Sequence, residues 1–164
     1  MNDAILVAGV GNIFLGDDGF GVEVARRLAM DPPNGAKVVD FGIRGVQLAY
    51  ELLDGYRGLV LVDALSRGEP PGTLYVFQPE LSGEVPATFV DAHGLDPASV
   101  LSMMRMLGGS VQRAIVIGCE PESLDERMGL SAPVERAVDE AVRVVRREVA
   151  RFATFGARKV EEIC

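Results

Sequence analysis

Three stretches of the chain are apolar without interruption for the length of a β-strand: Ala4-Ile5-Leu6-Val7-Ala8, Leu59-Val60-Leu61-Val62 and Ala114-Ile115-Val116-Ile117. A strand with one wet face alternates apolar and polar residues, so unbroken runs are expected where both faces are covered, as in a parallel sheet between helices. The intervening segments carry helical spacing instead. Phe20, Val24 and Leu28, flanked by Ala25 and Ala29, share one face; Leu48, Ala49, Leu52 and Leu53 share another. Val100, Met104 and Leu107 form a third, and Val134, Val138, Ala141, Val145 and Val149 a fourth. This alternation predicts an α/β fold, a three-layer α/β/α sandwich around a mostly parallel twisted sheet.

Two further strands complete the sheet. Ala36-Lys37-Val38-Val39 follows the turn cluster Asp31-Pro32-Pro33-Asn34-Gly35 and ends at Asp40-Phe41-Gly42. Thr73 to Phe77 is reached from the run ending at Val62 through a connection too short for a helical crossover, so it is expected to run antiparallel at the edge of the sheet. Asp96-Pro97 reads as a helix start, and Ser131 with Pro133 opens the long last helix, on whose outer face Asp139 and Arg143 have the favourable i,i+4 order. At 164 residues with 48% apolar side chains, the chain suits one core, a single domain over residues 1–164 with a frayed tail from about Thr154.

A formal net charge of −8 and the lack of a basic stripe argue against nucleic acid as a partner. The N-terminus has no signal-peptide pattern and no run is long enough to cross a bilayer, so a soluble, cytoplasmic protein is expected. Cys119 and Cys164 lack CxxC spacing, which fits a reducing compartment and offers no thiolate cage.

The first strand turns into the first helix through Gly9-Val10-Gly11-Asn12-Ile13-Phe14-Leu15-Gly16-Asp17-Asp18-Gly19. A dinucleotide fingerprint would place glycine where Phe14 stands and leave the helix N-terminus open to pyrophosphate. Two carboxylates there would repel it, and no Gly-Lys-Ser or Gly-Lys-Thr makes a P-loop. One aspartate can be explained as a helix cap; the second is left over.

Ligands of open α/β sheets bind beyond the carboxyl ends of the strands. Asp17, Asp18, Asp40, Asp63 and the Glu120-Pro121-Glu122 loop all fall on that edge. His93, the one histidine, sits in a loop before a helix, just after an irregular 78–90 segment expected to be a long loop that is either mobile or substrate-facing. One histidine and two carboxylates make a partial coordination shell for a borderline divalent ion such as Ni²⁺ or Zn²⁺. A Ser-His-Asp site would lack its GxSxG turn.

At these residues the sequence resembles the hydrogenase maturation endopeptidases, which trim the C-terminus of the large subunit of nickel-iron hydrogenases. The carriers of the likeness are Gly9-Val10-Gly11-Asn12 with Gly16-Asp17-Asp18-Gly19, Asp40-Phe41-Gly42, Val62-Asp63-Ala64, His93-Gly94-Leu95 and Glu120-Pro121-Glu122-Ser123-Leu124, followed by Gly129-Leu130-Ser131. The resemblance implies an ATP-independent endopeptidase that acts after nickel insertion, with nickel presented by the hydrogenase large-subunit precursor. It also implies that Asp18, Asp63 and His93 are the metal-sensing residues. Asp40 is the candidate general base in the hydrolysis, which is of aspartic or metal-assisted type. Phe41 and Arg44 suggest variation in a substrate-contacting loop. The alternative is a nickel-binding carrier on the same fold without protease activity.

Overall fold

The sheet expected from the apolar runs is present, in the order β2-β1-β3-β5-β4. The computed structural model describes residues 2–79 and 97–163, with side chains from 4 to 79 and 97 to 152. The strands are β1 Asn2–Val10, β2 Ala36–Gly42, β3 Tyr56–Ala64, β4 Leu74–Phe77 and β5 Arg113–Cys119. The helices are α1 Phe20–Ala29, α2 Gly45–Leu52, α3 Pro97–Met106 and α4 Ala132–Ile163. β1 pairs in parallel with β2 and β3, and β3 with β5, while β4 runs antiparallel to β5 at the edge.

Alternate residues of each central strand supply two cores, one on each face. Ile5, Val7, Val60, Val62, Ile115 and Ile117 point towards α1 and α4, where they meet Phe20, Val24, Leu28, Val138 and Val145. Leu6, Ala8, Val10, Leu59 and Leu61 point the other way, towards Leu48 and Leu52 of α2 and Val100, Leu101 and Met104 of α3. Burying each such Leu or Val contributes roughly 1.5–3 kcal/mol, so continuous apolar strands are what a sheet covered on both sides requires. Among the described residues no helix is long and apolar enough to cross a membrane.

The close fit of α1 on the sheet depends on two glycines. A Cβ on Gly21 would lie 2.1 Å from the Val62 carbonyl oxygen and 2.5 Å from that of Val10; one on Gly9 would lie 2.2 Å from the Gly21 carbonyl oxygen. The start of α1 therefore rests on the ends of β1 and β3. That contact brings the Asp17-Asp18 loop to the strand that ends in Asp63.

Two details of the helices bear on the expectations. One concerns the last helix, α4, which runs as far as Ile163. Asp139 pairs with Arg27 of α1 at 2.7 Å, not with Arg143, which binds Glu140. Arg27 also takes Glu135 and Glu23, so α1 and α4 are joined by one guanidinium that can serve several acids, and the i,i+4 partner on the same helix loses the competition.

Candidate active site

The strand order makes β1 the switch point: the chain leaves it for β2 on one side and later returns to β3 on the other. Crevices at such points, beyond the carboxyl ends, are the ligand sites of open α/β sheets. The loop after β1 and the end of β3 flank this one.

After Val10, the Gly11 N–H donates to the Gly42 carbonyl at 2.9 Å, which joins the first loop to the second. The loop then tightens into a 3-10 turn, Gly16–Gly19, that carries both aspartates into α1. Neither acid caps that helix, contrary to the capping expectation, because the cap position falls on Gly19 and the carboxylates turn elsewhere.

Asp17 is 1% exposed. Its carboxylate accepts the N–H groups of Glu122 at 2.8 Å, Ser123 at 3.1 Å and Ser131 at 2.7 Å, and the Ser131 hydroxyl at 2.8 Å. Burial alone would raise its pKa, but these donors outweigh burial and hold the carboxyl below the usual aspartate value. The backbone reinforces the join: Asp17 donates to the Ser123 carbonyl, Gly16 to that of Arg127, and Arg127 to that of Phe14. Asp17 is thus the tie between the first loop and the connection from β5 to α4.

Glu120 has a similar occupation. Its Oε1 accepts the Tyr75 hydroxyl at 2.6 Å and the N–H groups of Arg67 at 2.7 Å and Glu69 at 3.2 Å, fastening the β3–β4 connection to the end of β5. The Tyr75 hydrogen bond, first, and these amides hold its pKa down. Desolvation and the same carboxylate push the Tyr75 phenol up to about 12. Sequence reasoning placed both acids on the edge but missed that they are structural, since their donors come from segments far along the chain.

Asp18 is half-buried and accepts the Asn12 N–H at 2.7 Å, which keeps its carboxylate at the loop it belongs to. Asp63, 6% exposed at the end of β3, accepts the N–H of Ala64 at 2.8 Å. Asp40 is exposed near the end of β2, opposite Gly9. Beside it, Arg44 donates back to the carbonyls of Phe41 and Asp40, and Phe41 is buried in the core, so both residues shape the second loop from within. His93 and most of the 78–90 segment lie outside the described residues. Among the described residues, no group of three His, Cys, Asp or Glu side chains is poised for a metal ion, so the ligand set read from the sequence depends on His93.

The chain has close relatives among known proteins. The model of the hydrogenase maturation protease family matches residues 22–148. The hydrogenase 2 maturation protease of Escherichia coli is 34% identical over 147 residues, which cover 86% of this chain and 87% of that protein. A putative hydrogenase maturation protease of Methanocaldococcus jannaschii is 33% identical over 150 residues, 88% of this chain and 96% of that one. The chain belongs to the hydrogenase maturation protease family. The solved structure of the hydrogenase maturating endopeptidase HybD from E. coli has the same fold, with a TM-score of 0.75 at 28% identity over 90% of this chain and 93% of that one. As a hydrogenase maturation protease the chain is a peptidase, and membership does not favour the carrier alternative.

Proposed function

We propose that this maturation protease removes the C-terminal extension of a nickel-iron hydrogenase large-subunit precursor after nickel has been inserted, and that Asp18, Asp63 and His93 meet the nickel the precursor carries. The observation that carries the reading is the division of labour among the edge acids. Asp17 and Glu120 tie distant segments together, whereas Asp18 and Asp63 each accept an N–H of their own segment and stand on the two elements that flank the switch point. Carboxylate oxygens and an imidazole suit a borderline divalent ion, and a partial shell leaves room for the precursor's own ligands.

In this reading the nickel is part of the substrate. Docking it against the three side chains fixes the scissile peptide, and Asp40, exposed near the end of the neighbouring strand β2, takes the proton of the attacking water as general base. An empty precursor cannot complete the contact and is left uncut. The test is mass spectrometry of nickel-loaded and nickel-free precursor before and after incubation with this protein. Loss of a C-terminal peptide from the loaded form alone is expected. Equal cleavage of both forms overturns the nickel requirement, and an intact loaded precursor overturns the substrate assignment.

A further inference from the structure

The sequence comparison with dinucleotide sites singled out Phe14, and the chemistry above makes no use of it. Phe14 is 61% exposed, and three other large apolar side chains stand out of the same pair of segments: Ile13 at 40%, Leu124 at 45% and Met128 at 66%. Single exposed apolar residues need no explanation, but a group of them on the rim of a site does. The two segments are tied to each other beside Phe14. The Phe14 N–H donates to the Asn12 side-chain oxygen at 2.9 Å, and its carbonyl accepts from Arg127 at 3.0 Å. Leu15 and Arg127 form a parallel β-bridge. The backbone is therefore ordered before any partner arrives, which lowers the entropy lost on binding.

Between the segments lies a cleft of about 240 Å³ whose wall is apolar at Ile13, Val22, Met128 and Leu130 and charged at Glu23 and Arg26. Sites for drug-sized ligands occupy roughly 300–1,000 Å³, so this one suits a single bulky side chain. The cleft is continuous with the acidic edge: Gly16 and Gly19, which also line it, bound the turn that carries Asp18. On the other side of Met128, a recess walled by Phe14 includes Asn12, whose N–H holds the Asp18 carboxylate.

We infer that Phe14, Met128, Ile13 and Leu124 form a docking collar that receives apolar side chains of the hydrogenase large-subunit precursor while its nickel engages the acids. The inference rests on the reading of that precursor as substrate. Phe14 walls the recess that includes Asn12, whose N–H holds the Asp18 carboxylate, so a partner whose cation reaches Asp18 comes in over Phe14. A second copy of this chain is the poorer occupant, because each copy carries a net charge of −8 and would bring acids against acids.

The test compares wild type with Phe14→Ser and Met128→Ser, and with Met30→Ser as a control. Met30 is 81% exposed at the far end of α1, by the amino ends of the strands. Immobilised nickel-loaded precursor reads Kd, cleavage reads KM and kcat, and light scattering reads the oligomeric state. Each collar variant should raise Kd and KM roughly tenfold with kcat retained, as truncating a buried anchor does. The control should match wild type. If wild type cleaves and the collar variants keep its Kd and KM, the collar is overturned and the proteolytic reading stands. If wild type neither binds nor cleaves the precursor, both fall. A collar variant that changes only the oligomeric state identifies a second copy as the occupant and overturns the inference.

Discussion

Asp17 and Ser131 stand 114 positions apart, and the aspartate accepts both of the serine's donors, its N–H at 2.7 Å and its hydroxyl at 2.8 Å. With the amides of Glu122 and Ser123 added, a buried carboxylate is balanced by neutral donors, with no cation against it among the described residues. Because the same turn carries Asp18, the position of a candidate site residue depends on the start of α4.

Asp17→Ala strands the N–H groups of Glu122, Ser123 and Ser131. Of these only the Ser131 bond is fully buried, and an unpaired buried donor costs about 1–3 kcal/mol, so a loss of about that size is expected. At about 2–4 °C per kcal/mol, Tm should fall by several degrees. Asp17→Asn should not restore stability, since its NH2 group faces donors. Thermal unfolding followed by circular dichroism reads this, and a Tm within about 2 °C of wild type, less than one kcal/mol on that scale, would contradict it.

The pH dependence follows from the same carboxylates. Asp17 and Glu120 titrate below their unfolded values of about 3.9 and 4.3. A depressed folded pKa means that the unfolded chain takes up protons first. The stabilisation is therefore complete above the unfolded values and lost as pH falls through the folded ones. The urea midpoint should be level from about pH 7 to 5 and drop below about pH 4. Glu120→Gln should flatten that drop; an unchanged acid slope would remove Glu120 from the account.

Gly21→Ala tests the seat of α1. A methyl group 2.1 Å from a carbonyl oxygen cannot be accommodated without lifting the helix off the sheet. Overpacking of this kind costs about 1–3 kcal/mol, occasionally more, and backbone cannot yield as a side chain can. Tm should fall by several degrees and precursor processing should fall further than Tm predicts, since the helix start carries the turn of Asp18. Processing at the wild-type rate below Tm would separate the helix seat from the site.

Asp18→Asn, Asp63→Asn and His93→Ala should each lower processing of nickel-loaded precursor by more than about 100-fold, the scale of a lost group in the reacting shell. Tm for the two aspartate variants should stay within a few degrees, because asparagine keeps an oxygen for the Asn12 or Ala64 amide. A fully active His93→Ala would take the histidine out of the mechanism.

Cys119 should be chemically silent. Burial, with the Asp17 and Glu120 carboxylates adding to it, pushes its thiol up to about 12. In native protein at about pH 8, close to the ordinary thiol pKa, iodoacetamide should leave Cys119 unmodified in peptide-resolved mass spectrometry and label it only after denaturation. Rapid labelling of the native state would show that the end of β5 opens readily.

What could be read from the sequence is what short-range pattern encodes. Val60 and Ile117 lie in unbroken apolar runs because both faces of their strands are covered, and the length of the Ala64–Thr73 connection sufficed to make β4 antiparallel. The edge carrying Asp18, Asp40 and Asp63 followed from the strand ends. Which acids serve structure did not, because Asp17 finds its donors across the fold and Glu120 reaches back to Arg67 and Tyr75. Arg27 is the same lesson in the charges, drawing Asp139 away from the local partner that helical spacing suggested.

The tie from the first loop to Ser131 also bears on synthesis. Domains take shape as the chain leaves the ribosome, N-terminal segments first. Here the loop after β1 cannot reach its final form until Ser131 has emerged too, so a chain translated only partway lacks the finished turn that carries Asp17 and Asp18, and an interrupted one never acquires it.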